Sequence, residues 1–534
     1  MKRTRYIFVT GGVCSSLGKG IAASCIGALL ESYGYNITLA KIDPYINIDA
    51  GTMSPIEHGE VYVTEDGTET DLDLGNYSRF TSCKPTKKHS ITTGQIYQAI
   101  IERERRGDYL GKCVQMIPHV TDEIKQRIRH IIEPDTDVAI IEVGGTVGDI
   151  ESTIFLESIR QLITEVGKEN VSLIQVTLIP TLPGDKEPKT KPTQHAVQKF
   201  KEMVGIQPDI LLCRVGTAMT PSLKKKIALF THVPEEAIIP VENCKKSLYE
   251  LPITYHKEGL SQVILKNLNL PSKKPAISKW ERLMQVISHP QHEINIGIIA
   301  KYTGVQSTYT SICESLNHAG FAHKTTININ FIDSEQLVIQ QLKPLDAILV
   351  PGGFGERGIG GKIIAAKYAR ENKLPFLGIC LGLQTVVIEY ARNMLHLKEA
   401  NSTEFDPYTP APVIDLLASQ VNIKQKGGTM RLGTYASKIV PDTLLFKAYN
   451  QATLLYERHR HRYEVNNQYL TPLTQKGLII SCTTQTQKEQ LVEAVEWPNH
   501  PFGISVQFHP EFSSTPFNPH PLFSAFIKAI LARK

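Results

Sequence analysis

The sequence predicts an α/β chain of two doubly wound parallel-sheet domains. Short β-branched runs alternate with longer amphipathic segments in both halves, the rhythm of a parallel sheet with helices on both faces. Each half has a glycine-rich turn where a strand runs into a helix. The rhythm breaks once, at 271–292 (PSKKPAISKWERLMQVISHPQH), where prolines and charge mark a linker between a domain of residues 1–270 and one of residues 293–534.

In the first half, Tyr6–Thr10 reads as a buried strand. Residues 20–33 place Ile21, Ala22, Cys25, Ile26, Leu29 and Leu30 at helical spacing, and Gly34 offers a stop. Further strands are expected at Ile37–Ile42, Val138–Val143, Val171–Leu178, Ile210–Cys213 and Ala237–Ile239. Beyond the linker they are expected at Ile294–Ala300, Ile327–Ile332, Ala347–Val350, Pro375–Gly378 and Ser505–Phe508. No internal repeat or low-complexity tract interrupts them.

A length of 534 residues calls for more than one core, and 41% hydrophobic with 21% charged residues is ordinary globular composition. A net charge of +5 is small for this length and gives no reason to expect a nucleic-acid binder. The nine cysteines form no CxxC pair, which argues against a disulfide framework or zinc knuckle and for a reducing, cytoplasmic setting. The apolar run Tyr6–Val9 is too short for a signal-peptide core, and no stretch approaches a membrane span.

In the first half, the chemistry centres on Gly11-Gly12-Val13-Cys14-Ser15-Ser16-Leu17-Gly18-Lys19-Gly20, between a strand and a helix. Glycines let backbone N–H groups turn toward phosphate oxygens. The helix N-terminus adds partial positive charge and Lys19 a full one. The ordinary P-loop has Ser or Thr after the lysine to help hold Mg²⁺, but here the residue is Gly20. Carboxylates are the alternative donors. Asp71 and Asp73 share one side of an extended segment, and Glu142 closes a strand just before Gly144-Gly145. On pattern alone, Asp73 and Glu142 fit a solvated acidic loop equally well. Lys189-Thr190-Lys191-Pro192-Thr193-Gln194 and Lys226 could hold anions or be plain surface charge, and Asp149 and Glu151 are equally ambiguous.

In the second half, Gly378-Ile379-Cys380-Leu381-Gly382 has the glycine–x–nucleophile–x–glycine form of an elbow between strand and helix, with cysteine as nucleophile. The helix N-terminus favours a thiolate, and the Leu381 N–H is a natural oxyanion donor. A second donor is available in the turn Pro351-Gly352-Gly353-Phe354-Gly355. His509 and Glu511, two apart in Gln507-Phe508-His509-Pro510-Glu511, face one side of an extended segment, so the acid orients the imidazole that serves the thiol.

PGGFG, GICLGLQ and QFHPE resemble the triad, or class I, glutamine amidotransferases. GGVCSSLGKG, KIDPYINIDAGTMSPIEHGEVYVTEDGTETDLDLGNY, EVGGTVGDIES, KTKPTQH, NSTEF, GGTMRLG and ERHRHRYEVNN extend the likeness across nearly the whole chain to the CTP synthase family. The resemblance implies an N-terminal synthetase domain, a C-terminal glutaminase domain and ATP-dependent amination of UTP to CTP with ammonia from glutamine. It implies ATP at Ser15, Ser16, Leu17, Gly18, Lys19, Gly20 and Ile21, with Asp73 also contacting it and Glu242, Asn243 and Cys244 at the adenine. Mg²⁺ would sit at Asp73 and Glu142. The pyrimidine nucleotide would sit at Ser15, Lys41, Lys189, Thr190, Lys191, Pro192, Thr193, Gln194 and Lys226, with Asp149, Ile150 and Glu151 contacting CTP. Glutamine would be held by Gly353, Leu381, Gly382, Leu383, Gln384, Glu404 and Arg462, and the triad would be Cys380, His509 and Glu511. Activation by GTP, feedback inhibition by CTP, a homotetramer built through the synthetase domain and an enclosed path for ammonia are also implied. Neither nucleic acid nor membrane is an expected partner.

Two departures stand out. Gly358-Ile359-Gly360-Gly361 follows Arg357 where many relatives carry an acidic residue near 360, in a segment resembling the lid linked to GTP action. The stretch from Ala411 to Lys426 is shorter than in some relatives. The competing readings are an amide synthase that activates a carboxylate and a regulatory or filament-forming protein with dead sites. The complete set Lys19, Asp73, Cys380, His509 and Glu511 argues against the second.

Overall fold

A computed structural model of the chain describes residues 4–12, 14–181, 184, 187–244, 246–417, 420, 423, 427–485 and 490–534. Val13 of the glycine turn and part of the 411–426 stretch lie outside the described residues. The chain forms two compact units, Met1–Asp49 with Asp73–Ser288 and Ala50–Leu72 with His289–Lys534.

The first unit carries a seven-stranded parallel sheet in the order Ser90–Thr92, Ile37–Asp43, Val138–Val143, Arg5–Thr10, Val171–Ile179, Ile210–Val215, Ile238–Glu242. Its inner strands are buried almost end to end, as their continuous Val/Ile/Leu runs require when both faces are covered. Arg5–Thr10 lies at the middle, flanked by Val138–Val143 and Val171–Ile179. The phosphate-loop sequence and Glu142 therefore leave the sheet side by side at its carboxyl edge. The helix predicted at 20–33 spans Lys19–Ser32.

The second unit has a nine-stranded sheet. Thr325–Asp333, His292–Ala300, Ala347–Val350, Phe376–Ile379 and Gly503–Val506 run parallel. Four antiparallel strands then extend it: Gln490–Glu496, Ile479–Gln485, Arg431–Ile439 and Leu454–His461. The sequence reading expects only the parallel strands. Much of the antiparallel set alternates polar with apolar residues, so it lacks the buried runs that announce the others.

Sequence reading leaves 50–72 in the first domain. The structure packs it into the second unit, as a ribbon of Val61–Val63 antiparallel to Glu69–Asp71. Arg458 donates to the Tyr62 hydroxyl at 2.7 Å and the Val63 carbonyl at 3.0 Å, and Arg460 Nε donates to Glu69 Oε1 at 2.8 Å. The Glu60 carboxylate accepts the Ser311 N–H at 3.1 Å, in the first turn of helix Thr310–Ala322.

The stretch read as linker contains a helix, Ser278–Ser288. Trp280 is fully buried in the first unit, stacked on Phe80 (centroids 5.7 Å apart) and Tyr249 (6.2 Å). Among the described residues, no helix is long and apolar enough to cross a membrane. Trp280→Ala is expected to cost about 3–5 kcal/mol of stability, read as a lower urea midpoint of the first unit.

Candidate active site

Cys380 sits at the end of strand Phe376–Ile379, with φ 53° and ψ −102°, and caps the helix Leu381–Met394. Non-glycine residues rarely hold positive φ, so this one is imposed by its surroundings. A Cβ on Gly378 would meet Ser505 Oγ at 2.6 Å, and one on Gly382 would meet the Val350 carbonyl oxygen at 2.3 Å. The two glycines let strand and helix close on the cysteine. The Cys380 N–H donates to Val506 O at 2.7 Å, tying the elbow to the adjacent strand.

His509 follows that strand, and its Nδ1 lies 2.7 Å from Glu511 Oε1. Its Nε2 is buried without a hydrogen-bond partner among the described residues. A Cβ on Gly352 would lie 3.1 Å from His509 Cε1 and 3.5 Å from Cys380 Cβ, so ring, nucleophile and glycine turn share one small space. They line a cavity of about 90 Å³ whose walls include Pro55, Glu60 and Val61 of the 50–72 segment. Burial alone would lower the imidazole pKa. The charges of Glu511 and Cys380 reverse this and hold it at about 10.

Around the elbow, the Glu404 carboxylate accepts the Gly355 N–H at 2.6 Å, and burial raises its pKa. Gln384 donates to the Tyr463 carbonyl at 3.0 Å. Arg462 donates to Gln420 and Thr429, at 2.7 and 2.9 Å. Gly353, Leu381, Gly382 and Leu383 belong to the turn and the helix start. The basic run that precedes Arg462 alternates faces. Arg458 and Arg460 reach the 50–72 segment, whereas His459 pairs with Glu493 at 2.7 Å and His461 with Glu464 at 2.6 Å. Arg431 bridges both glutamates. Burial would raise Glu493, but His459 and Arg431 hold it well below the usual carboxylate range.

Sequence reasoning missed two lysines here. Lys301 donates to the carbonyls of Phe354 and Gly355, and burial drops its pKa to about 8. Lys362 is fully buried and donates to Pro351 O at 2.8 Å, holding the start of the glycine turn. Neither has a motif to mark it. Gly360 faces open space, so nothing in the packing excludes an acidic residue there.

In the first unit, Gly18 has φ 85° and caps the helix, and Lys19 Nζ donates to Gly145 O at 2.9 Å. A Cβ on Gly20 would meet Asp73 Oδ1 at 1.9 Å. The departure from the P-loop pattern thus has a physical reason: the Asp73 carboxylate occupies the space a side chain at 20 would need. Lys41 pairs with Asp73, Asn76 donates to its Oδ1 at 3.2 Å, and the Tyr77 hydroxyl donates to Glu142. Burial, then the charge of Asp73, pushes Glu142 up to about 8. A buried carboxylate raised by a neighbouring, part-buried one offers the hard oxygen donors that suit a divalent cation. Among the described residues, no larger His/Cys/Asp/Glu cluster fits a metal.

Leu17, Gly18, Ile21, Glu242, Asn243 and Cys244 line a second cavity of about 290 Å³. Arg214, which sequence reasoning missed, also lines it, donating to Leu17 O at 3.3 Å and Asn243 Oδ1 at 2.9 Å. Thr190 precedes helix Lys191–Val204, where Gln194 Nε2 donates to Thr190 Oγ1 at 3.0 Å and Thr193 to Leu178 O at 3.0 Å. Pro192 lies in the first turn of that helix. Lys191 stands over Phe230 of helix Pro221–Thr231, the helix of Lys226. Asp149 accepts from Thr146 in a turn, and Ile150 and Glu151 are exposed. Ser15 and Ser16 lie in the glycine turn, and Lys189 pairs with Glu187.

An α/β unit with a phosphate-loop turn, joined to one with a cysteine elbow and a His–Glu pair, defines the class of glutamine-dependent ligases. Residues 5–270 match the family profile of the CTP synthase N-terminus, and residues 305–529 that of class-I glutamine amidotransferases. The CTP synthase of Caldanaerobacter subterraneus subsp. tengcongensis is 52% identical over 99% of both chains. That of Aquifex aeolicus is 50% identical, again over 99% of both. The acivicin-bound glutaminase domain of Trypanosoma brucei CTPS shares 37% identity, covers 45% of this chain and 94% of its own, and has a TM-score of 0.42. The chain belongs to the CTP synthase family.

His509 has a folded pKa above its unfolded value of about 6.5. Its contribution to stability is therefore complete below about pH 6.5 and disappears as pH rises through about 10. The stability gap between wild type and His509→Gln, measured by urea unfolding, should narrow across that window. A gap that widens would contradict the ion pair.

Proposed function

We propose that the chain divides CTP synthesis between two reaction centres, with Cys380 releasing ammonia from glutamine and the glycine-turn centre activating UTP. The observation that carries the reading is the elbow, with Cys380 held at positive φ beside the buried His509, whose Nδ1 pairs with Glu511. The sulfur attacks the glutamine amide carbon. The oxyanion is held by the N–H of Leu381 and by a second N–H from the turn Pro351–Gly355. The His509 imidazolium gives its proton to the leaving nitrogen, and the C–N bond breaks to release ammonia. The neutral imidazole then takes a proton from water, whose oxygen displaces sulfur from the thioester and yields glutamate. Glu404, Gln384, Arg462 and Gly353 hold the glutamine.

In the first unit, ATP lies along residues 15–21, with adenine in the cavity of Glu242, Asn243, Cys244 and Arg214. Its γ-phosphoryl passes to O4 of UTP, turning a poor leaving group into phosphate, and ammonia displaces that phosphate at C4. Lys19 neutralises phosphate charge, and Lys41, Lys189–Gln194 and Lys226 hold UTP. Asp73 and Glu142 would hold Mg²⁺, which when bound supplies charge neutralisation across the phosphates. CTP competes with UTP and also reaches Asp149, Ile150 and Glu151. GTP acts on the lid that follows Phe354, where Arg357 lies over Tyr302. A homotetramer through the first unit accounts for its exposed Ile101, Leu110, Met116 and Ile117. In this division of labour, 1–270 is the synthetase, 271–292 the linker and 293–534 the glutaminase, with 50–72 serving the second unit.

The test compares nitrogen sources with ATP and UTP present and CTP as the readout. Cys380→Ala should lose glutamine-dependent synthesis by at least about a thousand-fold and keep ammonia-dependent synthesis. Loss of both would contradict the division. Lys19→Ala should stop synthesis from either source, and near-normal turnover with ammonia would remove the glycine turn from the chemistry.

A further inference from the structure

Gln507 lies two residues before His509, and its backbone N–H donates to Glu493 O at 2.8 Å, which fixes its place on the sheet. Its side chain is fully buried. The amide Nε2 is 3.6 Å from Cys380 Sγ, and Oε1 has no hydrogen-bond partner among the described residues. Among the described residues, the side chain's one hydrogen bond is to the sulfur. A buried acceptor left unpaired is costly, and packing by itself would favour leucine or methionine here. Something other than packing is needed to account for the amide.

The sulfur has a partner suited to each of its states. As a thiol, its S–H donates to the Arg460 carbonyl at 3.8 Å. As a thiolate it needs a donor, and Gln507 Nε2 is a neutral one already in place. Unlike the imidazolium, this donor keeps its proton when His509 gives one to ammonia. We propose that Gln507 is a positioning residue that donates its amide N–H to the Cys380 thiolate. It holds the sulfur for attack on the amide carbon. It stabilises the sulfur again when water adds to the thioester, the C–S bond breaks and the electron pair returns to sulfur. The inference rests on Cys380 being the nucleophile.

Gln507→Met keeps the length and apolar body but removes the donor. Gln507→Glu keeps the shape and turns the donor into an acceptor. The readouts are iodoacetamide alkylation at Cys380 across pH, followed by peptide mass spectrometry, together with kcat and KM for glutamine and thermal unfolding. For Gln507→Met, alkylation at neutral pH should fall about ten-fold with its pH–rate curve moved toward alkaline pH, and kcat should fall at least as far. KM should stay within about two-fold and the Tm should not drop. Gln507→Glu should lose more of both rates.

Alkylation and kcat within about two-fold of wild type in both variants would overturn the proposal. So would a lower kcat with an unmoved alkylation curve and a lower Tm, the pattern of a packing residue. If Gln507→Met does not fold, the near-isosteric Gln507→Glu decides by the same criteria. Cys380→Ser, assayed in parallel, tests the nucleophile itself: retained glutamine hydrolysis there would remove the reading on which the proposal rests, whatever the Gln507 variants do.

Discussion

His509 is buried between the Glu511 carboxylate and the Cys380 sulfur, and its pKa is held up at about 10, which favours the charged ring. Desolvation opposes that charge, and two nearby negative groups outweigh it. Much of the second unit can be understood as the means of keeping this arrangement. Gly378 and Gly382 let helix and strand approach closely enough to force Cys380 into positive φ. Gly352 leaves room for the ring. Lys362 fixes the carbonyl ahead of that glycine. The Arg431–Glu493–His459 network anchors the strand whose Arg460 carbonyl faces the sulfur.

The first unit solves a different electrostatic problem with similar economy. A glycine where a hydroxyl residue is usual looks in the sequence like a lost metal ligand. In space, the room it leaves is filled by Asp73 from elsewhere in the chain. The carboxylate there pairs with Lys41, while Glu142 accepts from the Tyr77 phenol, and burial with the charge of Asp73 outweighs Lys41 and Lys19 in raising its pKa.

The parallel strands were legible because a β-branched apolar run bounded by glycine fits little besides a strand covered on both faces. Val138–Val143 and Ala347–Val350 match residue for residue. The elbow and the His–Pro–Glu run were legible because each chemistry needs fixed residue types at fixed spacing. Glu235–Ala237 forms a 3₁₀ turn and shifts the following strand to Ile238–Glu242, a boundary that pattern alone does not resolve. The helix at Ser278–Ser288 was hidden by flanking prolines and lysines that mimic a linker. Lys301, Lys362 and Arg214 were not legible, since a lysine or arginine acquires its role only from the carbonyls that folding brings to it.

The ribbon at 50–72 changes what a half-protein would be. A fragment cut within 271–292 and carrying only the carboxyl half would lack Pro55, Glu60 and Val61 from one wall of the sulfur's chamber. It would leave Arg458 without its phenol and carbonyl acceptors, and the Ser311 amide without its carboxylate. The gene order of the two halves therefore does not mark where one catalytic compartment ends, and a module excised by sequence alone would be open along the flank that the ribbon closes.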